Sequence, residues 1–432
     1  MPRRPLALTA LIASVIGCAP AAKVASPPPS PEAVAAPVEA TVEPAKQSIP
    51  RHLPQPVAAR EPSAKPDIAM GEIAAAVDRA YSAGIAWSLA NQRHNGNWGS
   101  FESPRSYEIY LDTQASHAAF QTATTALVTW GMMAPAHSDV RCAQARDRGL
   151  DVLESRDSPG RATGKTFYDV WAHTYLIDLG AAIIQDPSLA ARHERWRGIL
   201  THEIARVRRE QGAEGGWGYY DFNFAGLHPS GEQSTRFNTA AMILALNAGK
   251  GVGETIPPGT IEDAARAVLR MQLPSGAFAY GTYAQLTPRA DYNKLSGSNG
   301  RLQVCNLALH SLGLGKVTEA VLLAGMQHLR NTHHDLEIGR GRVRPHESYY
   351  KDSGYYYYFG HYYAARVLAA CAPSPERDEL ARWLAEVMVH DQNPDGSWFD
   401  YPLYGYGKAY ATGYGLLTLE VLKPLLPSGA GG

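Results

Sequence analysis

The stretch "DQNPDGSW", Asp391–Trp398, decides how this chain is read. A Gln is followed by a short polar turn, then Gly, then an aromatic residue. Cruder copies stand upstream: "NQRHNGNW" from Asn91, "EQGAEGGW" from Glu210 and "MQLPSGAF" from Met271. Their glutamines, Gln92, Gln211, Gln272 and Gln392, are 119, 61 and 120 residues apart. Degenerate versions fall in the two wide gaps, "LESRDSPGRA" from Leu153 and "LRNTHHDLEIGRG" from Leu329. The chain therefore reads as six units of about 60 residues, and a period of that length outranks any local motif.

Each unit has the same inner layout. A helical stretch with charges between its apolar positions leads up to the Gln, as in "IEDAARAVLRMQ" and "ELARWLAEVMVHDQ". After the turn and a loop comes a second helical stretch with few charges and many small residues, such as "FQTATTALVTWGMM" and "RFNTAAMILALNAG". A helix that is apolar on nearly every side must be packed on nearly every side. Six hairpins of one amphipathic and one buried helix predict an all-α fold, an (α/α)6 toroid with the second helices as an inner ring. An open solenoid of helix pairs is the alternative, with shorter repeats and loops.

The Gln-turn-Gly-Trp pattern resembles the QW motif of the terpene cyclase and protein prenyltransferase superfamily, and the chain is similar to bacterial prenyltransferase and squalene oxidase repeat proteins. The resemblance spans residues 70 to 427. It implies a Gln that caps helix ends, a Gly that permits a tight turn, and a Trp packed against the next repeat. Trp98, Trp217 and Trp398 are then scaffold residues.

The first residues carry a separate signal. "MPRRPLALTALIASVIGCAP" has Arg3 and Arg4, an apolar run from Leu6 to Ile16, and then small residues, the layout of a secretory signal peptide. The run is too short to span a bilayer. Its ending, "VIGC", resembles the lipobox of bacterial lipoproteins, which implies cleavage after residue 17, lipidation of Cys18 and a place in the cell envelope, at the outer membrane. Residues 18–67, rich in Pro, Ala and Val, read as a disordered tether, and 68–432 as the toroid domain. The membrane is thus an expected partner through the anchor. The net charge of -1 offers no basic stripe for nucleic acid. Cys142, Cys305 and Cys371 are odd in number, widely spaced and set in apolar helical contexts, so they read as buried small hydrophobes.

In toroids of this kind the resemblance implies a ligand at one mouth, lined by the N-termini of the inner helices and the loops before them. The candidates there are Asp169, His173, Asp221, Asn238, Arg301, Tyr357, His361 and Tyr410. Tyrosines dominate, which suits a sugar ring or a polyene. A class II cyclase is expected to carry a DxDD motif, and none occurs; no DDxxD occurs either. A prenyltransferase is expected to bind zinc through Asp, Cys and His with an Asp-x-Cys pair. Asp169, Cys305 and His361 offer the residue types, but Gln303 stands two residues before Cys305. A glycoside hydrolase needs two carboxylates flanking the bond, for which Asp169 with Asp221, or Asp112 with Glu232, are the candidates. A lyase set would be His361 and Tyr357 with Arg301 and Asn238. The reading that needs none of these motifs is a lipid-anchored envelope protein binding an apolar molecule, a glycan or a partner protein.

Overall fold

The inner helices are built from segments whose side chains leave water almost completely: every residue from Arg236 to Leu246 is buried, and so is every residue from Tyr357 to Ala365. The computed structural model comprises two units, Met1–Ser63 and Ala64–Gly432. It describes residues 68–102, 113–163, 166–220 and 234–427. The expected leader, Cys18 and the tether lie outside the described residues, as do Asp112, Asp221 and Glu232.

Among the described residues, twelve long helices form six hairpins. The outer ones are α1 (Ile73–Ala90), α3 (Val140–Ser155), α5 (His193–Arg209), α7 (Thr260–Arg270), α9 (Glu319–Asn331) and α11 (Pro375–His390). The inner ones are α2 (Gln114–Gly131), α4 (Asp169–Gln185), α6 (Arg236–Gly251), α8 (Asn299–Ser311), α10 (Tyr357–Ala370) and α12 (Gly407–Leu422). Each inner helix packs on the inner helices before and after it, and α12 packs on α2, so the inner ring closes. The outer helices stand around it, and α11 of the last hairpin meets α1 of the first. This is the expected (α/α)6 toroid. Among the described residues the only β pairings are three isolated bridges, and no helix is long and apolar enough to cross a membrane.

Local sequence explains the helix ends. Asp139 and Ser374 accept hydrogen bonds from the backbone N–H groups of Arg141 (2.8 Å) and Arg377 (3.2 Å), and Pro375 opens α11 where no N–H is needed. Helix α7 begins with Glu262 and Asp263 and ends at Arg270, charges that complement its dipole. Inside the dry inner ring, threonine hydroxyls bond back one turn, as Thr239 does to the Thr235 carbonyl (2.8 Å) and Thr412 to that of Lys408 (2.7 Å). The inner helices approach closely where glycines meet: a Cβ on Gly360 would stand 2.8 Å from the Gly300 Cα.

The repeated turn is the fastener. In the three copies with Trp, the indole N–H donates to a carbonyl ten residues back on the preceding outer helix: Trp98 to Ser88, Trp217 to Val207, Trp398 to Met388. The Trp backbone N–H donates to a threonine of the following inner helix, Thr125, Thr239 or Thr412. The Gln amide donates twice, once to its own turn and once to the next outer helix: Gln92 to Gly96 and Ala145, Gln211 to Gly215 and Thr260, Gln392 to Gly396 and Ala80. The expectation that Gln caps helix ends is corrected here. It uses the second lone pair of a carbonyl within the neighbouring helix, and so staples unit to unit.

Candidate functional site

The N-terminal end of the inner ring encloses a cavity of about 320 Å³. Its wall follows helical phase. Helix α2 contributes Phe120, Ala123, Thr124 and Leu127, α4 contributes Trp171 and Tyr175, and α12 contributes Tyr410 and Tyr414. The spacing of three or four residues keeps these side chains on the face turned to the axis. Tyr168, Phe237, Tyr356 and Phe359 continue the wall from other helix starts, and Tyr219, Tyr220, Tyr355, Tyr401 and His346 join from loops. Trp171 stacks at 6.1 Å on both Tyr175 and Phe237 and meets Phe359 edge-on at 5.8 Å. Behind the wall, the Arg301 guanidinium sits over the Tyr356 ring (4.6 Å) and the Tyr280 ring (5.0 Å).

The wall's hydroxyls are largely paired within the protein, with one another or with Tyr280 just behind the wall. Tyr168 bonds Tyr220, Tyr175 bonds Tyr414, Tyr219 bonds Tyr280, and Tyr280 bonds Tyr356 at 2.7 Å. The Tyr410 hydroxyl donates to Asp400 Oδ1 (2.5 Å), and Asp400 Oδ2 accepts the Tyr358 backbone N–H (3.2 Å). Burial holds the hydroxyls of Tyr168, Tyr175, Tyr356, Tyr410 and Tyr414 above the ordinary tyrosine range, so they stay protonated. Burial pushes the Asp400 carboxyl up to about 7. Among the described residues that line the cavity there is no Asp or Glu.

A second polar centre lies on the opposite face of α4. Tyr168, Trp171 and Tyr175 face the cavity, while Asp169 and His173, four apart, face α5. There His173 Nδ1 bonds Glu203, and His173 Nε2 stands 3.6 Å from Asp169 Oδ2 and 3.6 Å from Glu210 Oε2. Arg206 Nε holds Glu210 Oε1 at 3.1 Å. Burial alone would lower the His173 imidazolium, but the neighbouring carboxylates of Asp169 and Glu203 carry it up to about 10. Burial, with the Asp169 charge, pushes Glu210 up to about 7.

A third cluster is built on α10. His361 Nδ1 donates to the Tyr357 carbonyl (2.6 Å), its Nε2 meets His333 Nε2 at 2.9 Å, and burial lowers it to about 4. Tyr357 donates to Asp391 (2.5 Å), which Arg340 approaches at 3.3 Å.

Residues 67–283 match the family model of the squalene-hopene cyclase C-terminal domain, half of the chain. The chain belongs to that family. It is 25% identical over 185 residues to a squalene–hopene cyclase of Zymomonas mobilis, a match covering 40% of this chain and 27% of that protein. The chain therefore spans about a quarter of the length of that relative. Among solved structures it is similar to the type II terpene cyclase MstE from Scytonema, at 14% identity and a TM-score of 0.45 over 82% of this chain and 99% of that one. It is also similar to the GH76A alpha-1,6-mannanase from Salegentibacter sp. HEL1_6, at 11% identity and a TM-score of 0.46 over the same shares.

In this squalene-hopene cyclase family chain, the residues expected at the mouth separate into different places. Tyr410 is in the cavity wall. Asp169 and His173 come together behind the wall, and Tyr357 and His361 come together in the α10 cluster. Arg301 is buried and paired with Asp352 Oδ1 (3.1 Å), with further bonds to the Tyr292 and Gly297 carbonyls. Asn238 is buried with neither amide atom hydrogen-bonded. The zinc set of Asp169, Cys305 and His361 is not brought together. Among the described residues the one group of three metal-type donors within 4.8 Å of each other is Asp169, His173 and Glu210. Asp169 and His361 lie on outward faces of different inner helices, and burial holds the Cys305 thiol up at about 12, far from the thiolate a metal needs. The prenyltransferase-type zinc does not fit these residues.

Beyond Tyr410, the inward stripe was not among the expected site residues: Phe120, Ala123, Thr124 and Leu127 on α2, and Tyr414 four residues after Tyr410, repeat at helical period, and that period could have revealed them. Asp400 and Glu203 gave no such signal, because their partners come from elsewhere in the chain.

Proposed function

We propose that the toroid binds an apolar isoprenoid-like molecule in the aromatic cavity and that the anchor on Cys18 holds it at the cell envelope. The observation that carries the reading is the wall: it is mostly aromatic and otherwise largely apolar, and most of its tyrosine hydroxyls already have a hydrogen-bond partner within the protein. A glycan requires free donors and acceptors from its site, whereas a hydrocarbon chain requires surface to cover. The volume sits at the low end of the usual range for small-molecule sites, roughly 300–1,000 Å³. Squalene–hopene cyclase, the Zymomonas relative, is named for hydrocarbons of this class.

The test is binding of farnesol and geranylgeraniol to residues 64–432, read by native mass spectrometry and by quenching of tryptophan fluorescence, with Trp171 in the wall. Ala123→Phe places a ring in the cavity. Saturable one-to-one binding weakened at least tenfold by Ala123→Phe supports the reading. Binding that Ala123→Phe leaves unchanged, or binding of mannose oligosaccharides in preference to both alcohols, defeats it. Conversion of the bound alcohol to a product would move the reading from binder to enzyme at the same site.

A further inference from the structure

We infer that Asp169, His173 and Glu210 form a site for one divalent transition-metal ion of the zinc class, with Glu203 orienting the histidine. Three observations carry it. The first is donor spacing. Ligand atoms around one zinc ion stand about 3.3 Å apart, given bonds of roughly 2.0–2.1 Å. His173 Nε2 is 3.6 Å from both Asp169 Oδ2 and Glu210 Oε2. That distance is too long for a hydrogen bond and close to what a shared ion requires.

The second is the unpartnered atoms. Asp169 is 1% exposed and His173 0% exposed, yet both Asp169 carboxylate oxygens and His173 Nε2 lack a hydrogen-bond partner. Buried polar atoms are nearly always bonded, and these point at one another around a common centre. The third is the support behind the histidine. Glu203, buried on α5, bonds His173 Nδ1. That bond holds a proton on Nδ1 and turns Nε2 toward the two carboxylates, where an ion would take the place of the Nε2 proton, the carboxylate–histidine–metal relation of metal sites.

The donor set of one imidazole nitrogen and two carboxylate oxygens excludes a preference for soft, thiolate-loving ions and suits zinc, with a fourth position open to water. Glu210 closes the outer side of α4 and its side chain is 16% exposed, which gives an ion a way in. Because Tyr168 and Trp171 lie on the other face of the same turn, an ion here would tie the cavity wall to α5. It would not enter the cavity.

The experiment uses the folded chain stripped with chelator and then titrated with Zn²⁺, with Mn²⁺ as a second probe. The expected result is one zinc per chain by native mass spectrometry, with a higher thermal midpoint. X-ray absorption of the zinc form should show nitrogen and oxygen at about 2.0–2.1 Å, an imidazole signature and no sulfur at about 2.3 Å. Glu210→Gln and Asp169→Asn should abolish the stoichiometric ion, and Glu203→Gln should weaken it roughly 10–100-fold. The inference is overturned if the stripped chain takes up neither ion, which would leave His173 a protonated partner of the carboxylates. Zinc retained in Glu210→Gln, or sulfur in the first shell, also overturns it. The absorption measurement needs only the natural sequence, so it decides even where a variant fails to fold.

Discussion

Asp400 shows how one residue couples the cavity wall to the stability of the fold. Its carboxyl is fully buried, accepts the Tyr410 hydroxyl and the Tyr358 amide, and feels the Arg340 charge. Those contacts favour the ionised form, but burial outweighs them and raises the group from 3.8 to about 7. The folded state therefore holds a proton that the unfolded chain has lost throughout that window. The stabilisation is full below pH 3.8 and is lost as pH rises to about 7, at up to about 1.4 kcal/mol per pH unit from this group. Asp178 and Asp352, each raised to about 6 by burial, act in the same direction. Asp400→Asn removes one proton from this balance. Urea midpoints at pH 5 and pH 8 should differ less in the variant than in the natural chain. Parallel curves for the two proteins would refute the assignment.

At the scale of the element, the repeated turn carries the prediction. Gly396 and Gly276 hold the same position in two copies, at φ +87° and +85°. A Cβ at Gly396 would stand 2.5 Å from the Ala83 carbonyl oxygen of α1, while one at Gly276 would meet nothing within 4 Å. Gly276→Ala should cost only the left-handed backbone, about 1–2 kcal/mol. Gly396→Ala should add a further ~1–3 kcal/mol of overpacking against a backbone that cannot turn aside. Equal urea midpoints would show that the turn does not press on the next unit. This difference also explains what could be read from sequence. The full copies are legible because Gln, Gly and Trp each meet a repeated demand: two carbonyls, a left-handed turn, and a slot between helices. The copy with Phe278 lacks the indole N–H but keeps the turn, with Leu273 N–H donating to Ala277 (2.7 Å) and Gly276 N–H to Leu273 (2.9 Å). The site was less legible. Asp169 and His173 could be placed on one helix face from their spacing, but not whether that face looked inward or outward. Glu203 belongs to a different helix and Glu210 follows that helix directly, and a single-helix pattern contains neither. Tyr357 and His361 sit four apart in the same way and were drawn toward the mouth by their chemistry, although the phase of α10 turns them to His333 and Asp391.

The whole molecule is a ring, and its seam is made by the last copy of the motif. Gln392 donates to the Ala80 carbonyl of α1 at 2.7 Å. The Trp398 ring fills the space beside Gly84 of α1 and Gly415 of α12, where a Cβ would lie 2.7 Å and 2.5 Å from ring atoms. Residues more than 300 apart thus close the circle with the same parts that join consecutive units. An open stack of hairpins frays from its ends, since a terminal repeat has one neighbour. In a closed ring the first helix has two neighbours, and loosening the seam exposes both sides of it. Trp398→Ala removes a buried indole and its bond to Met388, a loss of about 3–5 kcal/mol. Native-state hydrogen exchange in that variant should speed up in residues 73–90 as well as in 375–422, with α5 to α7 opening only in the global transition. Trp217→Ala should give the complementary pattern, with faster exchange in α5 to α7 and the seam intact. If Trp398→Ala accelerated exchange in 375–422 alone, α1 would be held without the last unit, and closure would contribute nothing to its stability.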